Sequence, residues 1–239
     1  MTNVASVNAT AEKLIIRLRN DNAPFTYVRF GDGDLALMRG DKNEAFHTNS
    51  PELRRELIQS FKIKDSDYLI GCVAGMQQEG EMRPGVFAPF RYDARLIEQA
   101  EKHQPDAYFE NPIALAYKYV FDNGWWVDFV DIIRSKKTLF IGSESVGRSY
   151  IPWTEFKAER IISLSDSNSY DDLQKWDEWE WISIQARLHD LIVCATGVAT
   201  RVIAKRLWKE GVRVTFIDIG SVVDALAGIK SRTWIKETQ

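Results

Sequence analysis

DLIVCATGVATRVIAKRLWKEGVRVTFIDIG, residues 190–220, reads as an apolar strand, a glycine turn, a helix and a second apolar strand in direct succession. The helix is expected over 198–210, because Val202, Ile203, Leu207 and Trp208 fall on one side and Gly211 supplies a C-terminal stop. KTLFIG at 137–142 and RIISLS at 160–165 precede this unit as two more short apolar runs with helix-length spacers. Strands that are apolar almost throughout imply a parallel sheet covered on both faces. Toward the N-terminus, FTYVRF at 25–30 and Tyr68 to Val73 add two strands. Ala11, Leu14, Ile15 and Leu18 mark a helix over 10–20, and Ser50-Pro51-Glu52 caps another whose apolar face is Leu53, Leu57, Ile58 and Phe61. Two or three helices are expected between Asp93 and Arg134 as an inserted layer, about 90–135. The expected fold is α/β and Rossmann-like, a mostly parallel sheet with helices on both faces and a helical insertion, in one domain over 1–239. Gly75 to Pro89 lacks apolar periodicity and reads as a long loop suited to a lid.

With 239 residues, 45% of them apolar, the chain can bury a full core. Lys+Arg 31 against Asp+Glu 34 gives a net charge of -3, without the basic excess on which phosphate-backbone binding draws, so no nucleic-acid partner is expected. Cys72 and Cys194 lie far apart in apolar stretches, which excludes a disulfide framework or a CxxC metal site and suits a reducing, cytoplasmic setting. No run approaches the ~18 apolar residues of a spanning helix, and no membrane span or signal peptide is expected. His47, His103 and His189 are scattered without zinc spacing. A nucleophile elbow, a Walker loop and a complete GxGxxG are all missing from the sequence.

Open parallel sheets bind ligands beyond the carboxyl ends of their strands. Polar or glycine-rich clusters fall there at Gly31–Asp34, Gly142–Arg148, Ser165–Asn168 and Thr196–Gly197, with Asp218-Ile219-Gly220 a fifth. In Arg29-Phe30-Gly31-Asp32-Gly33-Asp34, two carboxylates one residue apart on a glycine-flanked turn can reach one hard divalent cation and leave room for a diphosphate. The alternative is a solvated Asp-Gly turn. Arg29 either offsets diphosphate charge or pairs with Asp32. The amides around Ser143, Glu144 and Ser145 suit a phosphate, with Arg148 adding charge, or else form a capped helix with a surface arginine. Asn168 suits a base or ribose, or an ordinary capping loop. Glu79 and Glu81 in the presumed lid are a candidate general base or plain solvated acids. Trp176 and Trp179, at i and i+3 in KWDEWEW, are expected to share one packed helix face.

YVRFGDGDLALMRG, residues 27–40, resembles the RFGDGE signature of the GT-D fold glycosyltransferases, and 190–220 resembles that family's strand, GPTA-type turn, helix, glycine and DIG strand. The resemblance implies a metal-dependent glycosyltransferase that moves a sugar from a nucleotide diphosphate, a UDP-sugar by expectation, to a glycan or glycosylated acceptor. It implies that Asp32 and Asp34 are the catalytic acids and bind the metal, Mn2+ or Mg2+, with Asp34 standing where the family has Glu. Arg29, Gly31, Gly33, Ser143, Glu144, Arg148, Asn168, Thr196 and Gly197 are the candidate nucleotide-binding residues. Ser221 stands where many members have His, and Val198 and Ala199 replace Pro and Thr of the turn. Two other readings are open: a non-catalytic nucleotide- or sugar-binding module of the same fold, and a metal-dependent phosphohydrolase.

Overall fold

The computed structural model describes residues 3–20, 23–41, 43–44, 47–74 and 94–238. Six parallel strands form the central sheet: β1 (Thr26–Phe30), β2 (Tyr68–Cys72), β3 (Thr138–Ser143), β4 (Arg160–Leu164), β5 (Leu191–Ala195) and β6 (Thr215–Asp218). Their spatial order is β2-β1-β6-β5-β3-β4. The last strand made therefore lies at the centre, with Phe216 opposite Thr26 on one side and Ile192 on the other.

Among the described residues, eight longer helices surround the sheet: α1 (Val7–Leu18), α2 (Asp32–Arg39), α3 (Pro51–Phe61), α4 (Ala94–His103), α5 (Ala114–Phe121), α6 (Asn123–Arg134), α7 (Trp176–Arg187) and α8 (Ala199–Lys209). Strand side chains alternate between two cores. Val28, Phe30, Leu139, Ile141, Ile192, Cys194 and Phe216 face α2, α3, α7 and α8. Tyr27, Phe140, Leu191, Val193 and Ile217 face α1, α5 and α6. Both faces are buried except along the edge strand β4, where Arg160 and Ser163 are exposed, and each fully buried Leu, Ile, Val or Phe contributes about 1.5–3 kcal/mol. Cys72 and Cys194 are free and buried.

Caps account for several helix starts. Ser6 and Ser50 each accept an N–H from three residues on, and Pro51 occupies the first turn of α3, where its missing N–H is harmless. The helix expected over 10–20 begins earlier, at Val7, because Ser6 is its cap. The helices over 94–134 pack into the body of the fold, α4 on α2 and α5 on α1 and α6. Trp176 departs from expectation: it is 77% exposed in the first turn of α7, whereas Trp179 packs on the core and donates to Glu210. The presumed lid, with Glu79 and Glu81, lies outside the described residues.

The direction in which the chain leaves each strand creates a crevice. After β1 and β5 it enters α2 and α8 on one face, whereas after β6 it enters the short helix Val222–Leu226, whose Val222 and Val223 join the opposite core. Neighbouring strands whose continuations part to opposite faces leave a gap above their carboxyl ends, the usual ligand position in open α/β sheets.

Candidate functional site

At that crevice, four charged side chains meet below the surface. Asp218, fully buried at the end of β6, accepts from the Arg29 backbone N–H at 3.1 Å and from Arg29 Nη2 at 3.0 Å. Arg201, in the first turn of α8, places Nη2 3.1 Å from Asp34 Oδ2 and 3.6 Å from Asp218 Oδ2, and its Nη1 donates to the Gly197 carbonyl. Two guanidinium groups and two carboxylates make the cluster neutral overall, the condition under which buried charges are tolerated. The Arg29 Nη1 also donates to the Pro112 carbonyl at 3.2 Å, so the turn before α5 braces it from behind.

Two glycines make this geometry possible. Gly220 has φ +54°, and a Cβ there would stand 1.3 Å from Arg29 Nη2, so only glycine admits the guanidinium. Gly197, φ +61°, turns the chain from β5 toward α8, and a Cβ there would meet His47 Nε2 at 2.7 Å. His47 is thereby seated against the turn after β5. Thr48 N–H donates to Asn168 Oδ1 at 2.8 Å, which ties the same short segment to the turn after β4.

The paired acids stand differently from the expected turn. α2 begins at Asp32, so both belong to its first turn: Gly31 is the N-cap, and Asp34 reaches back to accept the Gly31 N–H at 2.8 Å. Asp32 is exposed, with Oδ1 accepting the Gly33 N–H at 3.0 Å. Asp34 is buried. Burial pushes its pKa up, against the pull of Arg201 and the Gly31 N–H. Burial also works most strongly against the Arg29 charge, but Asp218, Tyr27 and Asp34 together outweigh it and hold the guanidinium pKa above its ordinary value. The expected alternative partner of Arg29, Asp32, is thus replaced by Asp218, which the parallel register sets beside it.

Hydrogen-bonding capacity is left over here. Among the described residues, Arg29 Nε, Asp34 Oδ1, His47 Nδ1 and Arg201 Nε are buried without a partner. Such atoms are rare in folded proteins; others among the described residues lie on Asn49, Arg54, Trp125 and His189, whereas those of Arg29, Asp34, His47 and Arg201 meet at the crevice.

The other expected residues form a separate group. Ser145 N–H and Oγ both donate to Asp166 Oδ1, at 2.9 and 2.8 Å, so a carboxylate of the chain itself takes the place suggested for a phosphate after β3. Glu144 pairs with Arg148 one turn on, and Arg148 is 78% exposed, outside the buried cluster. Ser143 bonds to Ser145, and Asn168 is spent on Thr48. Thr196 is buried, and its N–H donates to Thr200 Oγ1 at 3.0 Å, so the threonines brace the turn. Arg201 and His47 were not expected as site residues. Asp218 offers a sequence signal, a carboxylate closing an apolar strand, whereas Arg201 and His47 are distant from the acids and become neighbours only through the topology.

Residues 27–230 match the family model described as the glycosyltransferase GT-D fold. No curated protein matches the chain. Among solved structures, it is similar to a glycosyltransferase (DUF1792) from Streptococcus sanguinis, with a TM-score of 0.75 and 19% identity over 94% of this chain and 83% of that one. A second DUF1792 protein, described as having a distinct glycosyltransferase fold, matches with a TM-score of 0.65 and 20% identity over 93% of this chain and 79% of that one. At these identities the structural likeness speaks for the fold, and the family match covers most of the sequence. The chain therefore belongs to the glycosyltransferase family of the GT-D fold.

Proposed function

We propose that this glycosyltransferase moves a sugar from a nucleotide diphosphate, a uridine diphosphate sugar, to a glycan or glycosylated acceptor, and that it uses a divalent cation, Mn2+ or Mg2+. The observation that carries the reading is the set of unpartnered atoms on Arg29, Asp34, His47 and Arg201 at the carboxyl ends of β1, β5 and β6. Unpartnered N–H groups of two arginines and an imidazole suit phosphate oxygens and hydroxyls, and the free oxygen of Asp34 suits a cation or a hydroxyl.

The residues fit a cation. Asp34 keeps Oδ1 without a partner while Arg201 engages Oδ2, and Asp32 adds a second hard carboxylate in the same helical turn. Asp32 and Asp34 would supply two ligands and leave the other coordination places to water and a diphosphate, as Mg2+ sites commonly do, since no third His, Cys, Asp or Glu joins them in a metal-sized group among the described residues. When bound, the cation offsets negative charge that develops on the departing diphosphate. The chain's own groups supply the rest. Arg201, fixed by Asp34, Asp218 and the Gly197 carbonyl, presents its remaining N–H to the ligand in one orientation, and Arg29 holds Asp218 so that Arg201 cannot swing away. A site preset in this way loses little orientational freedom when the ligand arrives.

The test is a thermal-shift panel of UDP, GDP, CDP, ADP and TDP, with and without manganese, on wild type and Asp32→Ala, followed by sugar-transfer assays with the nucleotide that binds. The expected result is a rise in Tm for UDP that needs both manganese and Asp32. No shift for any nucleotide would overturn the sugar-donor reading, and a shift indifferent to manganese would overturn the role of the cation.

A further inference from the structure

His47 enters the site from a short strand, His47–Thr48, that no functional motif covers. Its ring is 8% exposed, yet Nδ1 has no partner among the described residues. His189 Nε2 is also buried without a partner, but it lies at the amino end of β5, away from the crevice, whereas His47 stands beside Gly197 and the Arg201 charge. The seat is also built. Gly197 lacks the Cβ that would stand 2.7 Å from Nε2, and the bond from Thr48 N–H to Asn168 Oδ1 holds the backbone beside the ring.

The chemistry of the ring narrows what it can recognise. Burial first, and then the neighbouring Arg201 charge, push the His47 pKa down to about 4, so the imidazole is neutral under ordinary conditions. Arg29 and Arg201 are the charged donors here, each paired with a carboxylate. A neutral imidazole, one nitrogen a donor and the other an acceptor, is matched to a hydroxyl, which can answer either.

We infer that His47 is a specificity residue that hydrogen-bonds, through Nδ1, a hydroxyl of the bound sugar donor, on its ribose or on the sugar to be transferred. The inference rests on the sugar-donor reading above. Asp34, Arg201 and the cation handle the diphosphate, and His47 reads the neutral part of the ligand.

The experiment measures dissociation constants of UDP, its 2′- and 3′-deoxy analogues and UDP-glucose for wild type, His47→Leu and His47→Asn, with Tm recorded for each. His47→Leu keeps bulk and removes both ring nitrogens; His47→Asn returns a polar atom near the place of Nδ1. The expected result is about tenfold weaker binding by His47→Leu, recovered largely by His47→Asn, with Tm little changed. If the loss appears with UDP and vanishes for one deoxy analogue, the hydroxyl is on the ribose; if it appears only with UDP-glucose, it is on the sugar. Equal loss for every ligand, deoxy analogues included, would mean that the residue follows the diphosphate and would overturn the inference, as would wild-type affinity in His47→Leu. Should His47→Leu not fold, His47→Ala, which also lacks both ring nitrogens, takes its place: a shift in preference among the four ligands relative to wild type supports the inference and an unchanged preference overturns it. Wild type that binds none of the ligands would instead overturn the sugar-donor reading, and this outcome is seen before any substitution is made.

Discussion

Two groups of polar residues share one address, the carboxyl edge of the sheet, and differ in how their hydrogen bonds are spent. Above β1, β5 and β6, the Arg29, Asp34, Asp218 and Arg201 cluster is buried and retains unpartnered atoms. Above β3 and β4, Ser143, Ser145, Glu144, Arg148 and Asp166 are mostly exposed and satisfy one another. Both groups stand at strand ends, and of the two the first is buried and keeps atoms without partners. What separates the halves is capacity left over: a closed network of exposed groups can exchange partners with water at little cost, whereas a buried unpartnered atom is costly until a ligand meets it.

The comparison breaks first at Asp218. Asp218→Ala leaves Arg29 and Arg201 buried without their shared carboxylate, and such a loss typically costs about 3–5 kcal/mol. A fall in Tm on the order of 10 °C is expected in thermal melts; a change of only a degree or two would show that the cluster is solvated and not a buried unit. Gly220→Ala comes next. It forces a Cβ into the Arg29 guanidinium and a positive φ onto alanine, with an expected loss of about 1–3 kcal/mol and of nucleotide binding. Near-wild-type stability in urea titration would remove the claim that glycine is required there.

Arg201→Lys sharpens the contrast through function. A single ammonium cannot serve Asp34, Asp218 and the Gly197 carbonyl together, so UDP binding measured by calorimetry is expected to weaken about tenfold or more with a smaller change in Tm. Asp166→Ala carries the smallest effect: about 1 kcal/mol of stability from the lost cap, with nucleotide affinity within about twofold of wild type. Burial raises the Asp166 pKa, but bonds from Ser145 and Ser143 and the Arg148 charge outweigh this and lower it from 3.8. A depressed pKa contributes stability above the unfolded value and loses it as pH falls through the folded one. The gap in stability between wild type and Asp166→Ala should therefore be full at neutral pH and shrink once pH drops below 3.8. Strong loss of nucleotide affinity in this variant would merge the two halves into one site.

Much of the fold was legible because it rests on local signals. Apolar runs of strand length located all six strands, and Ser50-Pro51 and Gly211 marked helix ends through capping geometry alone. The start of α2 was not legible in the same way. Gly-Asp-Gly-Asp reads as a turn by composition, but Asp34 folds back onto the Gly31 N–H and turns the acids into a first helical turn. Of the cluster that makes the candidate site, the sequence pointed to the acids and to Gly197. It did not point to Arg201, which lies 167 positions from Asp34 in numbering and meets it only because β5 and β1 flank β6. His47 carried no spacing signal at all. Its place follows from the room that Gly197 leaves, which a sequence shows only once the two residues are known to touch.

The central position of β6 has a consequence for how the protein comes off the ribosome. Thr215–Asp218 alone joins the β2-β1 pair to the β5-β3-β4 group, and it is the last sheet strand to be synthesised. Until it emerges, the nascent chain carries two half-sheets with facing bare edges, the kind of edge that invites mispairing, and Arg29 has no carboxylate of Asp218 to meet. One insertion then zips the halves together and delivers that carboxylate. Premature termination between residues 196 and 214 would thus yield neither a weakened enzyme nor a partial one, but two unjoined fragments of sheet with an uncompensated charge between them.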